Sequence, residues 1–276
     1  MQIALFGGNS SISKSLKTLL SEDNEVVTLG RSNSDIIVDI NNIPNEFKLP
    51  YNLDTIVLTS ADFGGNELDD YLNAINVNVI GVLKLFDLAI NSNVKHFIFI
   101  SSIYSHFEAK SPLSSIYSIS KKFSEEVLLN YLKDKQIKLT IIRPTQIIGN
   151  FKSNRIRQPF FYSLIQKIKD SHNVKIYGKN DPKRNFIHID DLSSILHKVI
   201  LKKLEGVYDC AFPHNTSFLE ITNFAKILYQ SSSEISFDKT KPDIFDNVLN
   251  YNYDLYDLIN QYPKITIFEA IKELDL

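Results

Sequence analysis

The chain has 276 residues, of which 43% are hydrophobic and 22% are charged, and its 30 basic and 32 acidic side chains give a formal net charge of -2. This length suits one large domain or two unequal ones, and the composition is typical of a soluble protein with a substantial core. The near-neutral charge gives no electrostatic reason to expect nucleic-acid binding. A single cysteine, Cys210, excludes an intrachain disulfide framework and a cysteine metal cluster.

The N-terminus has no basic region, and its apolar run is too short for a signal peptide. No stretch of the sequence approaches the length expected of a membrane span. We therefore expect a cytoplasmic protein with no membrane partner.

The first predicted strand, Gln2 to Phe6, ends at two glycines, and the apolar spacing that follows predicts a helix from Ile12 to Leu20. A strand, a glycine turn and a helix make a phosphate-binding unit, in which helix amides face a pyrophosphate. The pattern G-x-x-G-x-x-G is incomplete, since serines stand at its second and third positions, Ser10 and Ser13. On its own the turn is also compatible with an ordinary connection. The candidate cofactor residues here are Gly7, Gly8, Asn9, Ser10, Ser11 and Ile12.

A second strand, Glu25 to Leu29, is followed by Arg31. In a dinucleotide fold the end of this strand meets the adenosine ribose, where an arginine suits a 2′-phosphate. Arg31 thus favours NADP(H) over NAD(H), the alternative being a solvated loop arginine. A third strand is predicted from Asp35 to Ile40, with Asp39 near its end.

Three more strands end in small or polar residues. The strand Asp54 to Leu58 is closed by Thr59, Ser60 and Ala61, which are small enough to admit a cofactor. A helix is predicted from Leu68 to Ile90, and we expect close packing to explain Gly81 inside it. The strand His96 to Ile100 ends at Ser101 and Ser102. A helix from Tyr117 to about Leu132 follows. The next strand, Lys138 to Ile142, ends at Arg143 and Pro144.

The alternation of strands and helices predicts an α/β fold with a doubly wound parallel sheet of the Rossmann type. Ligands bind such sheets beyond the carboxyl ends of the strands. The residues expected to line one crevice there are Gly7, Arg31, Ser60, Ser102 and Pro144, with Tyr117 overhanging it.

After Pro144 the loops lengthen. The predicted elements are helices at 158–169, 190–201, 218–229 and 268–274 and strands at 174–177 and 206–210. We predict a dinucleotide-binding domain at 1–145, to which 188–210 returns. The remainder, 146–187 and 211–276, is predicted to form a small substrate-binding cap.

Tyr117 and Lys121 stand four residues apart, which in a helix places them on one face. A free tyrosine has a pKa near ~10. For it to relay a proton near neutral pH, its pKa must fall by roughly three units, which requires about 4 kcal/mol of stabilisation of the phenolate. One cation about 4 Å away supplies about that much at an effective dielectric of 20. Because this spacing is common by chance, a surface helix that carries a tyrosine and a lysine explains it better when it is taken alone.

Five motifs together resemble the extended short-chain dehydrogenase/reductase family, in its NAD(P)-dependent nucleotide-sugar epimerase/dehydratase/reductase branch. They are Asn78 to Gly81, Ser101-Ser102, Tyr117 to Lys121, Arg143 to Gly149 and Arg184 to Asp191. The resemblance implies that Ser102, or its neighbour Ser101, binds the substrate oxygen, that Tyr117 is the general acid/base and that Lys121 is its partner.

Further roles follow from the same resemblance. Asn78 supports the strand and helix around the active site and is counted with the cofactor positions, as is Ile40. Asp39 meets the adenine amine. Arg184 grips a nucleotide-sugar pyrophosphate, and Gln146 and Tyr177 belong to the substrate pocket.

Two departures favour the smaller reductases of the family over its epimerases and dehydratases. The C-terminal region is short, and no extra carboxylate accompanies the serine and tyrosine. We therefore expect an NADPH-dependent reductase of a nucleotide-linked 4-keto-6-deoxy sugar, acting in surface-polysaccharide sugar biosynthesis. The alternatives are an NAD-dependent 4-epimerase and, in another class, a non-catalytic dinucleotide-binding sensor.

The resemblance also implies a homodimer formed through the helix bearing the tyrosine and its neighbour, with Phe86, Phe123 and Leu128 as candidate contacts. Six scattered histidines show no metal-binding spacing, and Asp190-Asp191 is better explained as a helix start, so no metal is expected. Near the C-terminus Tyr251, Tyr253 and Tyr256 are assigned to packing rather than to a nucleotide base.

Overall fold

A computed structural model describes residues 1–248 and 252–275. In the described residues the strands are β1 (Gln2–Phe6), β2 (Glu25–Gly30), β3 (Ile36–Ile37), β4 (Thr55–Leu58), β5 (His96–Ile100), β6 (Lys138–Pro144), β7 (Gln146–Ile148), β8 (Val174–Tyr177), β9 (Lys183–Arg184), β10 (Phe186–His188), β11 (Gly206–Cys210), β12 (Thr216–Ser217) and β13 (Ile235–Asp238). The helices are α1 (Ser11–Leu20), α2 (Leu68–Ile75), α3 (Val82–Asn91), α4 (Ile116–Tyr131), α5 (Lys152–Arg157), α6 (Pro159–Lys169), α7 (Ile189–Lys202), α8 (Phe218–Leu228), α9 (Asp254–Ile259) and α10 (Ile267–Glu273).

The chain divides into two compact units. The first comprises Met1–Pro144, Ser193–Cys210 and Asp254–Gln261, and the second comprises Thr145–Leu192, Ala211–Tyr253 and Tyr262–Leu276. The sequence placed 254–261 in the cap, whereas α9 clusters with the first unit, where Tyr256 is fully buried. Tyr253 is half exposed, and Tyr251 lies outside the described residues.

A seven-stranded sheet in the order β11-β6-β5-β4-β1-β2-β3 forms the first unit, and every neighbouring pair of strands is parallel. Its central strands are apolar and buried, as a sheet covered on both faces requires. The registers pair Phe6 with Leu58, Leu58 with Phe99 and Ile100 with Ile142. The carboxyl ends of these strands therefore meet at one edge, which confirms the predicted Rossmann-type fold.

The third strand is shorter than predicted. Only Ile36–Ile37 pairs with β2, and a 3₁₀ turn, Ile40–Asn42, replaces the rest. The local reason is side-chain competition for the backbone. The Asp35 carboxylate accepts the Thr28 amide at 2.8 Å, and the Asp39 carboxylate accepts the Asn41 amide at 3.0 Å.

The predicted helix from Leu68 is observed, but it is interrupted. A π-helical segment, Asn76–Gly81, joins α2 to α3, and such segments occur frequently at functional sites. Gly81 confirms the expected close packing, since a Cβ there would lie 2.4 Å from the carbonyl oxygen of Ile40.

The stretch Leu68–Asn91 also corrects the expectation that no segment reaches the length of a membrane span. Its 24 residues, with a mean hydropathy of 1.4 in the most apolar window, are long and apolar enough to cross a membrane by length and composition alone. The helix nevertheless contributes Leu85, Phe86 and Ala89 to the core of the sheet. Packing in a globular core accounts for its apolar character.

Two of the three predicted dimer contacts are wrong. Phe86 and Leu128 are fully buried in the core of the first unit and cannot contact another chain. Phe123 is 48% exposed, and the nearby apolar side chains Ile80 and Ile119 are exposed as well.

The second unit is built from short strand pairs and helices around its own core. The pairs are β7 with β10, β8 with β13 and β9 with β12. The core is supplied mainly by α6, α8 and α10. As predicted, Asp190 and Asp191 lie in the first turn of α7, and Asp191 also accepts the amides of Lys264 and Ile265.

Candidate active site

The turn after β1 needs glycine at its first position. Gly7 has a φ of +107°, and a Cβ there would lie 2.5 Å from Thr59 Oγ1 and 2.7 Å from the backbone nitrogen of Ser60. The amides of Gly7 and Gly8 both donate to the carbonyl of Leu29. The glycine turn therefore lies against the small residues after β4 that were predicted to border the cofactor.

The serines that replace the other two glycines are held by hydrogen bonds. Ser10 has a φ of -67° and a ψ of 152°, a conformation that does not need glycine, and its hydroxyl accepts the Ser13 amide at 3.0 Å. The hydroxyls of Ser10 and Ser13 each lie 2.8 Å from Thr59 Oγ1. Thr59 in turn donates to the carbonyl of Phe6 at 3.1 Å. The departure from the glycine pattern is thus compensated by a three-hydroxyl cluster.

Helix α1 begins where a phosphate is expected. The amides of Ser11 and Ile12 are its first two donors and have no acceptor one turn earlier in the helix, so they can bind an anion. The side chain of Asn9 donates to the carbonyl and hydroxyl of Ser32, at 2.6 and 3.0 Å, and ties this turn to the loop after β2. These residues fit the diphosphate of a dinucleotide.

The adenosine end of the predicted site is more open. Arg31 is exposed in the loop after β2, and Asp39 is half buried at the start of the 3₁₀ turn. Ile40 is buried. At the neighbouring strand ends Ser60 and Ala61 are half buried, and Pro144 is buried at the end of β6.

Asn78 is a connector within the site. Its side-chain oxygen accepts the Asp62 amide at 2.8 Å, while its nitrogen donates to the Asp62 carbonyl at 2.7 Å and to the Ser120 hydroxyl at 2.9 Å. Ser124 donates to the Asn78 carbonyl. Both amide hydrogens are used within the protein, so Asn78 supports the site and does not donate to a cofactor.

Lys121 and Tyr117 lie on the same face of α4, as the spacing predicted. The Lys121 ammonium is 6.0 Å from the centre of the Tyr117 ring and 4.5 Å from that of Phe99. It donates to the Ile100 carbonyl at 2.8 Å, and the whole side chain is 1% exposed. Burial lowers the pKa of Lys121 to about 7, against the raising effect of Glu125. A buried, easily deprotonated amine beside a phenol is typical of a functional site.

The two serines after β5 have different partners. Ser101 donates to the buried carboxylate of Glu125. The Ser102 hydroxyl accepts the Tyr104 amide at 3.3 Å and begins the 3₁₀ turn Ile103–His106. A hydroxyl that accepts keeps its hydrogen to donate, which favours Ser102 as the residue that contacts a substrate oxygen.

Aromatic neighbours of Tyr117 were missed by the sequence analysis. The Phe63 ring stacks on the Tyr117 ring, with centroids 4.8 Å apart and planes at 10°. The Tyr104 ring meets Tyr117 edge to face at 6.3 Å. These contacts join residues far apart in sequence, and no local pattern reports them.

In the second unit the predicted substrate residues occupy different surroundings. Arg184 donates to the carbonyls of Lys183 and Phe245, at 2.8 and 2.7 Å. Its guanidinium lies 5.1 Å from the Phe218 ring centre. Tyr177 is 50% exposed.

Several buried polar atoms of the second unit have no hydrogen-bond partner among the described residues. They include Gln146 Oε1, Arg155 Nε and both side-chain polar atoms of Asn247, a residue that is 1% exposed. Because such atoms are costly unless bonded, they mark positions where a polar ligand can bind. The sequence analysis predicted Gln146 here but not Arg155 or Asn247. Within residues 1–248 and 252–275, no three acidic, histidine or cysteine side chains are placed to hold a metal ion.

Comparisons with known proteins agree with this geometry. The profile of the NAD dependent epimerase/dehydratase family matches residues 5–211. A UDP-glucose 4-epimerase of Vibrio cholerae is 28% identical over 171 residues, which are 56% of this chain and 50% of that enzyme. A GDP-L-fucose synthase of Sinorhizobium fredii is 22% identical over 251 residues, or 83% of this chain and 79% of that one. The chain therefore spans about half the length of the Vibrio enzyme in its match.

Two solved structures show the same fold. The UDP-glucuronic acid 4-epimerase of Bacillus cereus, in complex with UDP-glucuronic acid and NAD, has a TM-score of 0.80 at 17% identity, covering 99% of this chain and 97% of that one. RMD from Pseudomonas aeruginosa, complexed with NADPH, has a TM-score of 0.78 at 18% identity, covering 98% and 96%. The chain belongs to the NAD-dependent epimerase/dehydratase family and has the extended short-chain dehydrogenase/reductase fold.

Proposed function

We propose that this chain is an NADPH-dependent reductase of a nucleotide-linked 4-keto-6-deoxy sugar, acting in surface-polysaccharide sugar synthesis. The observation that carries the proposal is the buried ammonium of Lys121, 6.0 Å from the Tyr117 ring. Burying a charged amine costs several kcal/mol. A protein that keeps such a lysine therefore has a functional use for its charge.

When bound, the reduced dinucleotide supplies the hydride that C4 of the sugar receives. Ser102 donates a hydrogen bond to the C4 oxygen and orients the carbonyl. Tyr117 gives its phenolic proton to that oxygen, and the cation of Lys121 stabilises the phenolate that remains. The chain contributes general acid catalysis and positioning.

Several features support NADP(H) as the cofactor. The amides of Ser11 and Ile12 suit the diphosphate, and exposed Arg31 suits a 2′-phosphate. RMD, which shares this fold, binds NADPH, although the Bacillus cereus epimerase of the same fold binds NAD.

The second unit is proposed to hold the nucleotide of the substrate, through Gln146, Tyr177 and Arg184. Arg184 carries a fork of donors suited to phosphate, and the unpartnered amide atoms of Gln146 and Asn247 suit the polar edges of a nucleotide. Similarity to a GDP-L-fucose synthase over 83% of the chain supports a nucleotide sugar as the ligand.

The test is NADPH oxidation with a panel of UDP-, GDP- and dTDP-linked 4-keto-6-deoxy sugars. We expect turnover with at least one, and Tyr117→Phe is expected to reduce it by about 10³-fold or more while dinucleotide affinity stays within about threefold. Tyr131→Phe is the matched control on the same helix and is expected to leave turnover unchanged. Full turnover in Tyr117→Phe would refute the mechanism.

An NAD-dependent 4-epimerase is the second candidate, favoured by the similarity to the Vibrio cholerae enzyme. It would use the same three residues and regenerate its cofactor in every cycle. Protein that purifies with NAD and interconverts UDP-sugars without added NADPH would support it. Dinucleotide binding without turnover of either substrate class would instead support a sensor.

We also propose a homodimer through the exposed apolar face of Ile80, Ile119 and Phe123. Ile119 and Phe123 are one turn apart on α4, so they form one surface. Phe123→Glu is expected to convert the dimer to a monomer in sedimentation, while Ile227→Glu, at a 78% exposed position of the second unit, leaves it intact.

A further inference from the structure

A buried carboxylate lies one helical turn beyond Lys121. Glu125 is 3% exposed, and Arg143 Nε donates to its two oxygens at 3.1 and 3.0 Å, with a second guanidinium nitrogen donating to Oε2. The Ser101 hydroxyl donates to Oε1. Burial makes Arg143 easier to deprotonate, but the bonds and charge of Glu125, with Asp209, raise its pKa above the ordinary value. The guanidinium of Arg143 therefore stays protonated.

The contacts continue beyond Arg143. Its Nη1 lies 3.8 Å from Asp209 Oδ1, and His106 Nε2 lies 2.7 Å from the same oxygen. Ser101 and His106 belong to one short segment, with Ser102 between them. We name the set Ser101, Glu125, Arg143, Asp209 and His106 the Glu125 clamp. It joins both ends of the Ser102 segment to α4, β6 and β11.

Lys121 lies one helical turn before Glu125 on α4. Its ammonium is 2.8 Å from the Ile100 carbonyl oxygen, 4.5 Å from the centre of the Phe99 ring and 6.0 Å from that of Tyr117. Glu125, on the same helix, acts against the burial that lowers the pKa of Lys121. Among the charged groups on the strands beyond, Arg143 bonds to Glu125, Asp209 lies 3.8 Å from Arg143, and His106 bonds to Asp209.

We propose that Glu125 is a positioning residue of the active site: its clamp fixes the Ser102 segment against α4, and its charge favours the cationic form of Lys121, one helical turn away. This inference rests on the proposed function only for its kinetic consequences. The charge on Lys121 is a property of the protein without substrate.

The first test is direct titration of Lys121 by NMR of lysine labelled at Cε, in the protein without ligands. Replacing Glu125 by glutamine keeps the shape and an acceptor for Ser101 but removes the charge. We expect the midpoint of Lys121 in Glu125→Gln to move to lower pH by about one to two units relative to the wild type. An unmoved midpoint would overturn the proposal.

A second test separates charge from structure. The single variant leaves the half-buried Arg143 with only the more distant carboxylate of Asp209, so it can lose stability for that reason alone. The double variant Glu125→Gln/Arg143→Met removes the ion pair and restores neutral packing. If Glu125 acts through its charge, the double variant regains stability but keeps the lowered Lys121 midpoint. Recovery of the wild-type midpoint would show that the pair is only structural.

Kinetics give the third measurement. We expect kcat of the double variant to fall by about tenfold to a hundredfold near about pH 8 and by less than about fivefold near about pH 5.5, with KM for the nucleotide sugar little changed. The alkaline limb of the kcat profile moves with the NMR midpoint. If no nucleotide sugar is turned over by the wild type, the proposed function fails while the titration still decides the role of Glu125. A KM change without a shifted limb would contradict the positioning role.

Discussion

The hydroxyls of Ser10 and Thr59 lie 2.8 Å apart, so the turn after β1 is bonded to the end of β4. Thr59 also meets the Ser13 hydroxyl at 2.8 Å, and its own hydrogen can go to the Phe6 carbonyl at the end of β1. In that arrangement both serines donate to Thr59. Side chains at the positions of two missing glycines therefore stabilise the turn.

Restoring the glycine at position 10 is expected to weaken cofactor binding. Ser10→Gly removes the hydroxyl that caps the Ser13 amide. It also increases the conformational entropy of the unfolded chain, and the folded turn gains nothing in return because its φ of -67° does not require glycine. We expect the NADPH dissociation constant to rise about threefold to tenfold, measured by calorimetry. Ser15→Gly on the same helix is the control for helix weakening. Tighter binding by Ser10→Gly would contradict the compensating role of the cluster.

Lys121→Met is expected to abolish turnover and raise stability. The fall of the lysine pKa from 10.5 to about 7 corresponds to a cost of about 5 kcal/mol, a net figure that already includes the favourable charge of Glu125. At about pH 6 the lysine is charged in both folded and unfolded chains, so the full cost applies, and we expect a gain of about 1–3 kcal/mol.

The pH dependence of that gain checks its cause. Between about pH 7 and 10.5 the unfolded wild type holds a proton that the folded protein has lost, so wild-type stability rises with pH. The advantage of Lys121→Met, measured by urea unfolding, should shrink across that range. A constant difference would show that packing rather than charge is responsible. Lys122→Met, at an exposed position, is the control.

Arg31→Ala is expected to weaken NADPH binding by about tenfold and to leave NADH binding within about twofold. The reason is that only NADPH carries the 2′-phosphate that the exposed guanidinium could meet. Dissociation constants for both dinucleotides decide the point. An equal loss for the two would remove Arg31 as the basis for cofactor preference.

The fold was predictable because its signals are local. Strand β5 was predicted at 96–100 and observed as His96–Ile100, since a short, wholly buried apolar run is typical of a central strand. The π-helical segment Asn76–Gly81 was missed because its residues are compatible with an ordinary helix. Phe86 and Leu128 were misassigned because periodicity shows that a helix has an apolar face but not what covers that face.

The candidate site was predictable only in part. Strand ends and a four-residue spacing single out Ser102, Tyr117 and Lys121, but the roles predicted for them come from the resemblance to the family. The Glu125 clamp does not, because its contacts join residues 18 to 103 positions apart. The unpartnered atoms of Asn247 depend on packing alone. Long-range polar contacts carry no signature in a single sequence, whereas helix and strand periods do.

A buried histidine far from the candidate site makes stability depend on pH. His96 is fully buried at the start of β5, and its Nε2 lies 2.7 Å from Thr140 Oγ1. Thr140 donates to the Leu204 carbonyl, so His96 Nε2 must carry the hydrogen. Burial lowers the pKa of His96 to about 4, with Lys138 and Lys203 adding to the effect.

The sign follows from proton uptake. Between pH 6.5 and about 4, His96 is protonated in the unfolded chain but not in the folded protein. The free energy of unfolding is therefore unaffected by this group above pH 6.5 and decreases as the pH falls toward 4. We expect the wild type to lose about 3 kcal/mol from this group over that range. His96→Gln keeps a donor for Thr140 but cannot titrate, so urea unfolding of this variant should lack that part of the acid loss. His172→Gln, at an exposed position, should keep the wild-type slope. If His96→Gln also keeps that slope, the acid sensitivity has another origin.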